Sequence, residues 1–233
     1  MFLLYMNKSI YTSAYYSIVV QIIIGVVSLL GTFIKIDTQD KILYEVLVLE
    51  TIVQFIQFSF YIWLIYNFSN IKSDISIVRY YDWFFTTPIM LFALICLLIY
   101  FQRKNNGIST EDLSLANIYS ENDNTINKIF ASNALMLILG YLGEVNIISK
   151  ISAFFGGTAL LCYVYYYIYD SFVQDQLVNK ALFWFNFILW SGYGIAYLLS
   201  YENKNNMYNV LDVFAKNINA LFVLLVILFK YYF

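Results

Sequence analysis

The sequence predicts an all-α membrane protein: a seven-transmembrane-helix bundle with its N-terminus extracellular and its C-terminus cytoplasmic, forming one domain over residues 1–233. Three observations lead there. Hydrophobic residues make up 61% of the chain and charged residues 12%, against roughly 25% charged in a soluble domain. Seven apolar runs are long enough to cross a bilayer, which takes about 20 residues. The last of them, Met207–Phe233, nonetheless holds Asp212 and Lys216, four apart and so on one helical face. A charge at the centre of a membrane helix costs on the order of 3 kcal/mol, and two such groups are tolerable as partners. A lysine amine can also form a Schiff base with a carbonyl. From this stretch alone, that role and a structural ion pair stand even.

Composition excludes several classes. The chain has no histidine, so histidine metal sites and histidine-based triads are absent, and nothing predicts an enzyme. A formal net charge of -2 does not suit a nucleic-acid partner. Cys96 and Cys162 both fall in apolar runs and read as buried thiols rather than a disulfide framework. The N-terminus lacks a cleavage-site pattern, so the first apolar run is expected to stay as an anchor.

The spans are expected at about Tyr11–Ile34, Ile42–Tyr66, Ile75–Phe101, Ile126–Glu144, Asn146–Tyr169, Leu177–Leu199 and Met207–Phe233. Backbone groups in lipid must bond internally, so runs of this length are helices. Most links are short, which makes sequence neighbours antiparallel neighbours. The turn around Gly143–Asn146 is the tightest; Gln102–Thr125 is the long one, polar, and expected to be a mobile surface segment. Basic residues set the orientation. Lys35, Lys41, Arg103, Lys104, Lys128, Lys180 and Lys230 fall on one side; Lys8, Lys72, Lys150 and Lys204 fall on the other. The richer side is expected to be cytoplasmic.

Polar residues inside the spans mark a site. Arg79, Asp82 and Thr86 project from one face at the start of the third span. Pro88, the only proline, frees a carbonyl one turn earlier, and Thr86 and Thr87 could bond freed carbonyls. Glu50, Gln54, Gln57 and Tyr61 are spaced four, three and four apart, one helical face, and such a set is expected to point into the bundle. The structural alternative for Glu50 is a protonated carboxyl bonded to a neighbouring helix. Trp190, Tyr193 and Tyr197 make an aromatic wall on the sixth span, with Trp83 and Phe154–Phe155 as candidates to face it.

RYYDWFFTTP at Arg79–Pro88, WSGY at Trp190–Tyr193 and LDVFAK at Leu211–Lys216 together resemble the microbial (type 1) rhodopsins over all seven spans. The resemblance implies that Lys216 carries all-trans retinal as a protonated Schiff base. By the same resemblance Asp82 and Asp212 are its counterions, Asp82 is the primary proton acceptor, and Arg79 is the extracellular gate arginine. Trp83, Thr86, Thr87, Trp190, Tyr193, Tyr197 and Phe155 or its neighbour are similar to retinal-pocket residues. Glu50–Phe58, Gly140–Glu144 and Asn217 look most like the rhodopsins of giant viruses of algae and protists.

Departures from bacteriorhodopsin shape the functional reading. The cytoplasmic proton donor corresponds to Ala93, the sixth-helix proline to Gly194, and a fourth-helix carboxyl to Asn133. Glu202 could serve as one extracellular release glutamate, while Lys204 sits near the other's place. A light-gated cation channel is favoured, with Glu50, Gln54, Gln57, Asp82, Asp212 and Asn217 lining the path. An outward proton pump with Glu50 as donor is the alternative, and a photosensor that needs a partner comes third. The expected partners are the lipid bilayer, retinal and protons or small monovalent cations; a homo-oligomer is left open.

Overall fold

A computed structural model describes residues 2–71 and 74–232. Lys72, counted above among the basic loop residues, and Phe233, the end of the expected seventh span, lie outside the described residues. The described residues form seven long helices and no strand. They are α1 (Phe2–Gly31), α2 (Lys41–Asn67), α3 (Ile75–Asn105), α4 (Leu115–Glu144), α5 (Lys150–Phe172), α6 (Leu177–Leu198) and α7 (Tyr201–Tyr232). Each is long and apolar enough to cross a membrane. The outward surface carries large apolar side chains such as Phe55, Tyr66, Phe155 and Phe229, while Glu50, Gln54, Gln57, Arg79, Asp82, Asp212 and Lys216 are buried. That inversion of the soluble pattern follows from a solvent as apolar as the core.

Besides α1, which begins at Phe2 rather than Tyr11, three boundaries differ most from expectation. The segment Gln102–Thr125 is mostly ordered: α3 runs on to Asn105 and α4 starts at Leu115. Ser114 caps α4 by accepting from Asn117 N, and Glu45 of α2 accepts from Leu115 N at 2.8 Å. Arg103 bonds Asp112 at 2.7 Å, and its guanidinium holds that exposed carboxyl below its ordinary pKa. A non-helical Asn122 kinks α4 where its amide bonds Ile118 O. The second difference is α7, which begins at Tyr201, because the polar run Tyr201–Asn206 meets polar partners inside the bundle. The third is α5, which begins at Lys150 after a turn in which Asn146 takes a positive φ of 59°, a conformation asparagine tolerates. Cys96 is buried as expected, but Cys162 is exposed on the outer apolar face of α5.

Charged knots tie the helix ends. At the end where α7 finishes, buried Asp40 accepts from Tyr100 (2.7 Å), Tyr231 (2.6 Å) and Lys230 (2.6 Å), and pairs with Lys104 at 3.2 Å. At the other end Lys204 bridges Asp74 (2.8 Å) and Glu144 (2.7 Å), joining α7 to the start of α3 and the end of α4. Lys204 is thus buried rather than a loop charge.

Two predictions follow from these contacts. A Cβ on Gly143 would lie 2.1 Å from Tyr197 Oη and 2.5 Å from Ala153 Cβ, so α4 and α5 pack there only because Gly143 has none. Gly143→Leu should cost about 1–3 kcal/mol, seen as a melting temperature several degrees lower in detergent. Asp74, outside the spans, is raised by its burial but lowered more by Lys204 and Ser76, for a net fall below its ordinary value. Its stabilising contribution is therefore full above the unfolded carboxyl's pKa of about 3.9 and lost as pH falls through the lower folded value. Thermal stability measured from pH 6 downward should show this acid loss, and Asp74→Asn should remove that component of the slope.

Candidate functional site

At the bundle centre one lysine meets two carboxylates. Lys216 lies in a five-residue π turn, Val213–Asn217, that interrupts α7. Such wide turns frequently occur at functional sites. Its Nζ bonds Asp82 Oδ2 of α3 and lies 3.5 Å from Asp212 Oδ1, one turn earlier on α7. All three side chains are within 1% of full burial. Uncompensated charges there would be costly, so the cluster exists as a set.

The two carboxylates are held unequally. Asp212 accepts from Tyr61 Oη (2.8 Å), Tyr193 Oη (2.9 Å), Trp83 Nε1 (3.3 Å) and Arg79 Nη1 (3.2 Å). Asp82 engages Lys216 with Oδ2, while its Oδ1 has no protein partner. Arg79, fully buried, also bonds Tyr61 Oη at 3.1 Å, Asn209 Oδ1, and Asn205 Oδ1 at 3.4 Å.

A largely apolar cavity opens beside Lys216. Its lining includes Trp83 and Thr87 of α3, Trp190, Tyr193 and Tyr197 of α6, and Lys216 itself. Trp83 and Tyr193 meet edge to face with centroids 5.3 Å apart. Thr87 Oγ1 bonds Trp83 O at 2.8 Å and accepts from Asn133 at 2.8 Å. Thr86 does not line the cavity; its hydroxyl bonds Asp82 O at 2.9 Å. The two threonines thus bond the carbonyls of residues 82 and 83, not the Phe84 carbonyl that Pro88 leaves without its usual donor. Phe155 is a correction: it is 66% exposed on the outside of α5, and Phe154, one position earlier, lines the cavity. One residue along a helix turns the side chain by about 100°, enough to exchange pocket for lipid.

The α2 stripe faces inward throughout: Glu50, Gln54, Gln57 and Tyr61 are all buried. Asn217 joins it, accepting from Gln54 at 3.4 Å and donating to Gln57 at 3.3 Å. Glu50 Oε2 has no protein partner. Beyond Arg79 the polar track continues through Asn205, Asp74, Lys204 and Glu144. Glu144, not Glu202, meets Lys204 there. The sequence reading missed Asn205, Asn209 and the Lys204 bridge. Asn205, Asn209, Asp212 and Lys216 are spaced four, three and four apart, a stripe that extends the α7 face and could have revealed them.

The sequence profile of bacteriorhodopsin-like proteins matches residues 12–229. Among solved structures, the viral rhodopsin OLPVRII is similar at 24% identity and a TM-score of 0.80, covering 95% of this chain and 99% of that one. Acetabularia rhodopsin I is similar at 17% identity and a TM-score of 0.74, covering 96% of each chain. Xanthorhodopsin, a light-driven ion pump with a dual chromophore, is similar at 17% identity and a TM-score of 0.73, covering 97% of this chain and 94% of that one. At these identities the structural likeness speaks for the fold. No curated protein matches the chain. With its profile match spanning nearly all seven helices, the chain belongs to the bacteriorhodopsin-like family, multi-pass membrane proteins that bind retinal through a lysine Schiff base and serve as light-driven ion transporters or sensors.

Proposed function

We propose that this protein is a light-gated cation channel whose retinal is attached to Lys216. Two lysines among the described residues are almost fully buried, and their surroundings separate them. Lys204 is held by Asp74 and Glu144 and does not line the apolar cavity; Lys216 does. The cavity suits the group: Trp83, Trp190 and Tyr193 offer broad faces to a planar polyene, and an amine stands in its wall. When bound, retinal supplies a light-absorbing polyene whose isomerisation reorients the Lys216 nitrogen and its proton. The chain's residues do the rest. Asp82 and Asp212 neutralise that nitrogen, Asp82 offers Oδ1 to a proton, and Tyr61, Tyr193, Trp83 and Arg79 keep Asp212 in place.

The observation that carries the channel reading is the track of polar side chains beside the site. Glu50, Gln54, Gln57 and Tyr61 occupy successive turns of α2, and Asn217 bonds two of them next to Lys216. It leads to Asp212, Arg79 and the Lys204 bridge. Leu43, Val46 and Leu47, beyond Glu50 on α2, are buried and apolar, which suits a path that is closed at that end at rest. A path that is polar but closed is what light would need to gate. Protons or small monovalent cations are the ions such amide and carboxylate groups accommodate. The basic residues Lys35, Lys41, Arg103, Lys104, Lys180 and Lys230 support a cytoplasmic C-terminus.

A second reading has its own observation. Glu50 is buried with Oε2 unpaired, and Ala93 occupies the place of the usual donor. That arrangement also suits an outward proton pump in which Glu50 returns the proton to Lys216.

Voltage-clamp photocurrents separate the two: a channel's current changes sign with voltage, and a pump's stays outward. Lys216→Ala should abolish the visible band formed on adding retinal; an intact band would end the assignment. Asp82→Asn should shift the band to longer wavelength, as should acidifying the wild type, because both remove the negative charge next to the Lys216 nitrogen. For a channel, Glu50→Gln should move the cation reversal potential while the band recovers after a flash at close to the wild-type rate. Recovery slowed several-fold and restored by azide, a small diffusible acid, would favour the donor role instead.

A further inference from the structure

Two buried asparagines stand apart from the polar track. Asn186 of α6 and Asn219 of α7 are 4% and 7% exposed, away from the α2 stripe. One turn from Asn186 along α6 lie Leu182, Phe183 and Trp190; one turn from Asn219 along α7 lie Ala215, Lys216 and Val223; all are buried. Neither amide bonds Gln54, Gln57 or Asn217, which are linked through Asn217 on the α2 side. A buried amide is costly unless its groups are bonded, so the bonds these two make indicate what they are for.

Asn219 Nδ2 carries two hydrogens and uses both. One goes to Asn186 Oδ1 at 3.0 Å, and the other to the backbone carbonyl of Ala215 at 3.0 Å. Asn186 in turn donates from Nδ2 to Leu182 O at 3.0 Å. The two amides form an unbroken link from the α6 backbone to the π turn of α7. It ends on Ala215, the residue just before Lys216, inside the stretch Val213–Asn217. Ala215 also lines the cavity, as does Trp190, one turn beyond Asn186 on α6. A displacement of Trp190 by whatever fills the cavity would therefore reach the Lys216 backbone through this link.

We propose that the Asn186–Asn219 pair is a positioning device for Lys216: it fixes the wide turn that aims the amine at Asp82 and couples that turn to α6. The proposal rests on the reading of Lys216 as the retinal attachment point. It holds equally for a channel or a pump, because it concerns where the nitrogen is held rather than which ion moves.

The test uses Asn219→Leu, Asn186→Leu and Asn186→Gln in the full-length protein, with Lys216→Ala as control. Three quantities are read: the melting temperature before retinal is added, the position of the visible band afterwards, and the rate of dark bleaching by hydroxylamine, which attacks the lysine–retinal link. Asn219→Leu should displace the band and speed bleaching about tenfold, the equivalent of one lost hydrogen bond. Asn186→Leu should act in the same direction but less, since Asn219 keeps its bond to Ala215, and Asn186→Gln should restore part of the wild-type behaviour. The double variant should be no worse than Asn219→Leu alone, because the two act as one unit. A lower melting temperature with band and bleaching unchanged would overturn the positioning role and leave a merely structural pair. Should Asn219→Leu fail to fold, the two Asn186 variants carry the same test. A band that survives Lys216→Ala would instead sink the attachment reading, an outcome distinct from insensitivity to the asparagines.

Discussion

The cost of a buried ammonium governs this molecule. Lys216 sits at the centre of a bundle surrounded by apolar surface, and nothing in a bilayer would solvate it. Two carboxylates must stand beside it, and two carboxylates so close together need positive and hydrogen-bonding partners of their own. Arg79, Tyr61, Tyr193 and Trp83 provide these for Asp212. Arg79 then requires Asn205 and Asn209, and Asn205 leads on to Asp74 and Lys204. Much of the buried polarity toward the N-terminal end of α7 traces back, group by group, to one amine.

The same constraint explains the asymmetry around the amine. Asp212 is held by four donors. Asp82 engages the lysine with one oxygen and keeps the other unengaged. The two aspartates have the same chemistry, and only their neighbours differ.

Much of this was legible in the sequence, for physical reasons. Membrane helices announce themselves by length and apolarity, so all seven were readable. Charges inside such helices are costly enough that Arg79, Asp82, Asp212 and Lys216 had to converge, and they do. The inward-facing stripe from Glu50 to Tyr61 was legible because lipid would not accept it. Less legible were features where polarity conceals a helix. The run Tyr201–Asn206 reads as a loop, since what makes it helical is partners on other elements, Asp74 and Glu144, that no local window contains. The start of α4 was hidden likewise, its first N–H being satisfied by Glu45 from α2. Phe154 and Phe155 differ by one step on a helix whose both faces are apolar, and hydrophobicity alone does not tell pocket from lipid. The π turn left no compositional trace.

That turn has a consequence for how α7 can vary. A π turn closes its hydrogen bonds over five residues where an α turn uses four. It therefore works as a phase shifter: everything after Asn217 is rotated by about one residue's step, roughly 100°, relative to an uninterrupted helix. Asn219, Val223 and Ile227 face the interior only because of that offset. Substitutions along Ile218–Tyr232 each disturb one contact. Deleting a single residue between Val213 and Asn217 would remove the extra residue and leave the following segment facing as it does, whereas straightening the turn at unchanged length would rotate that segment by about 100° and carry Asn219, Val223 and Ile227 off the interior face. The facing of that segment is thus set by the shape of the turn before residue identity.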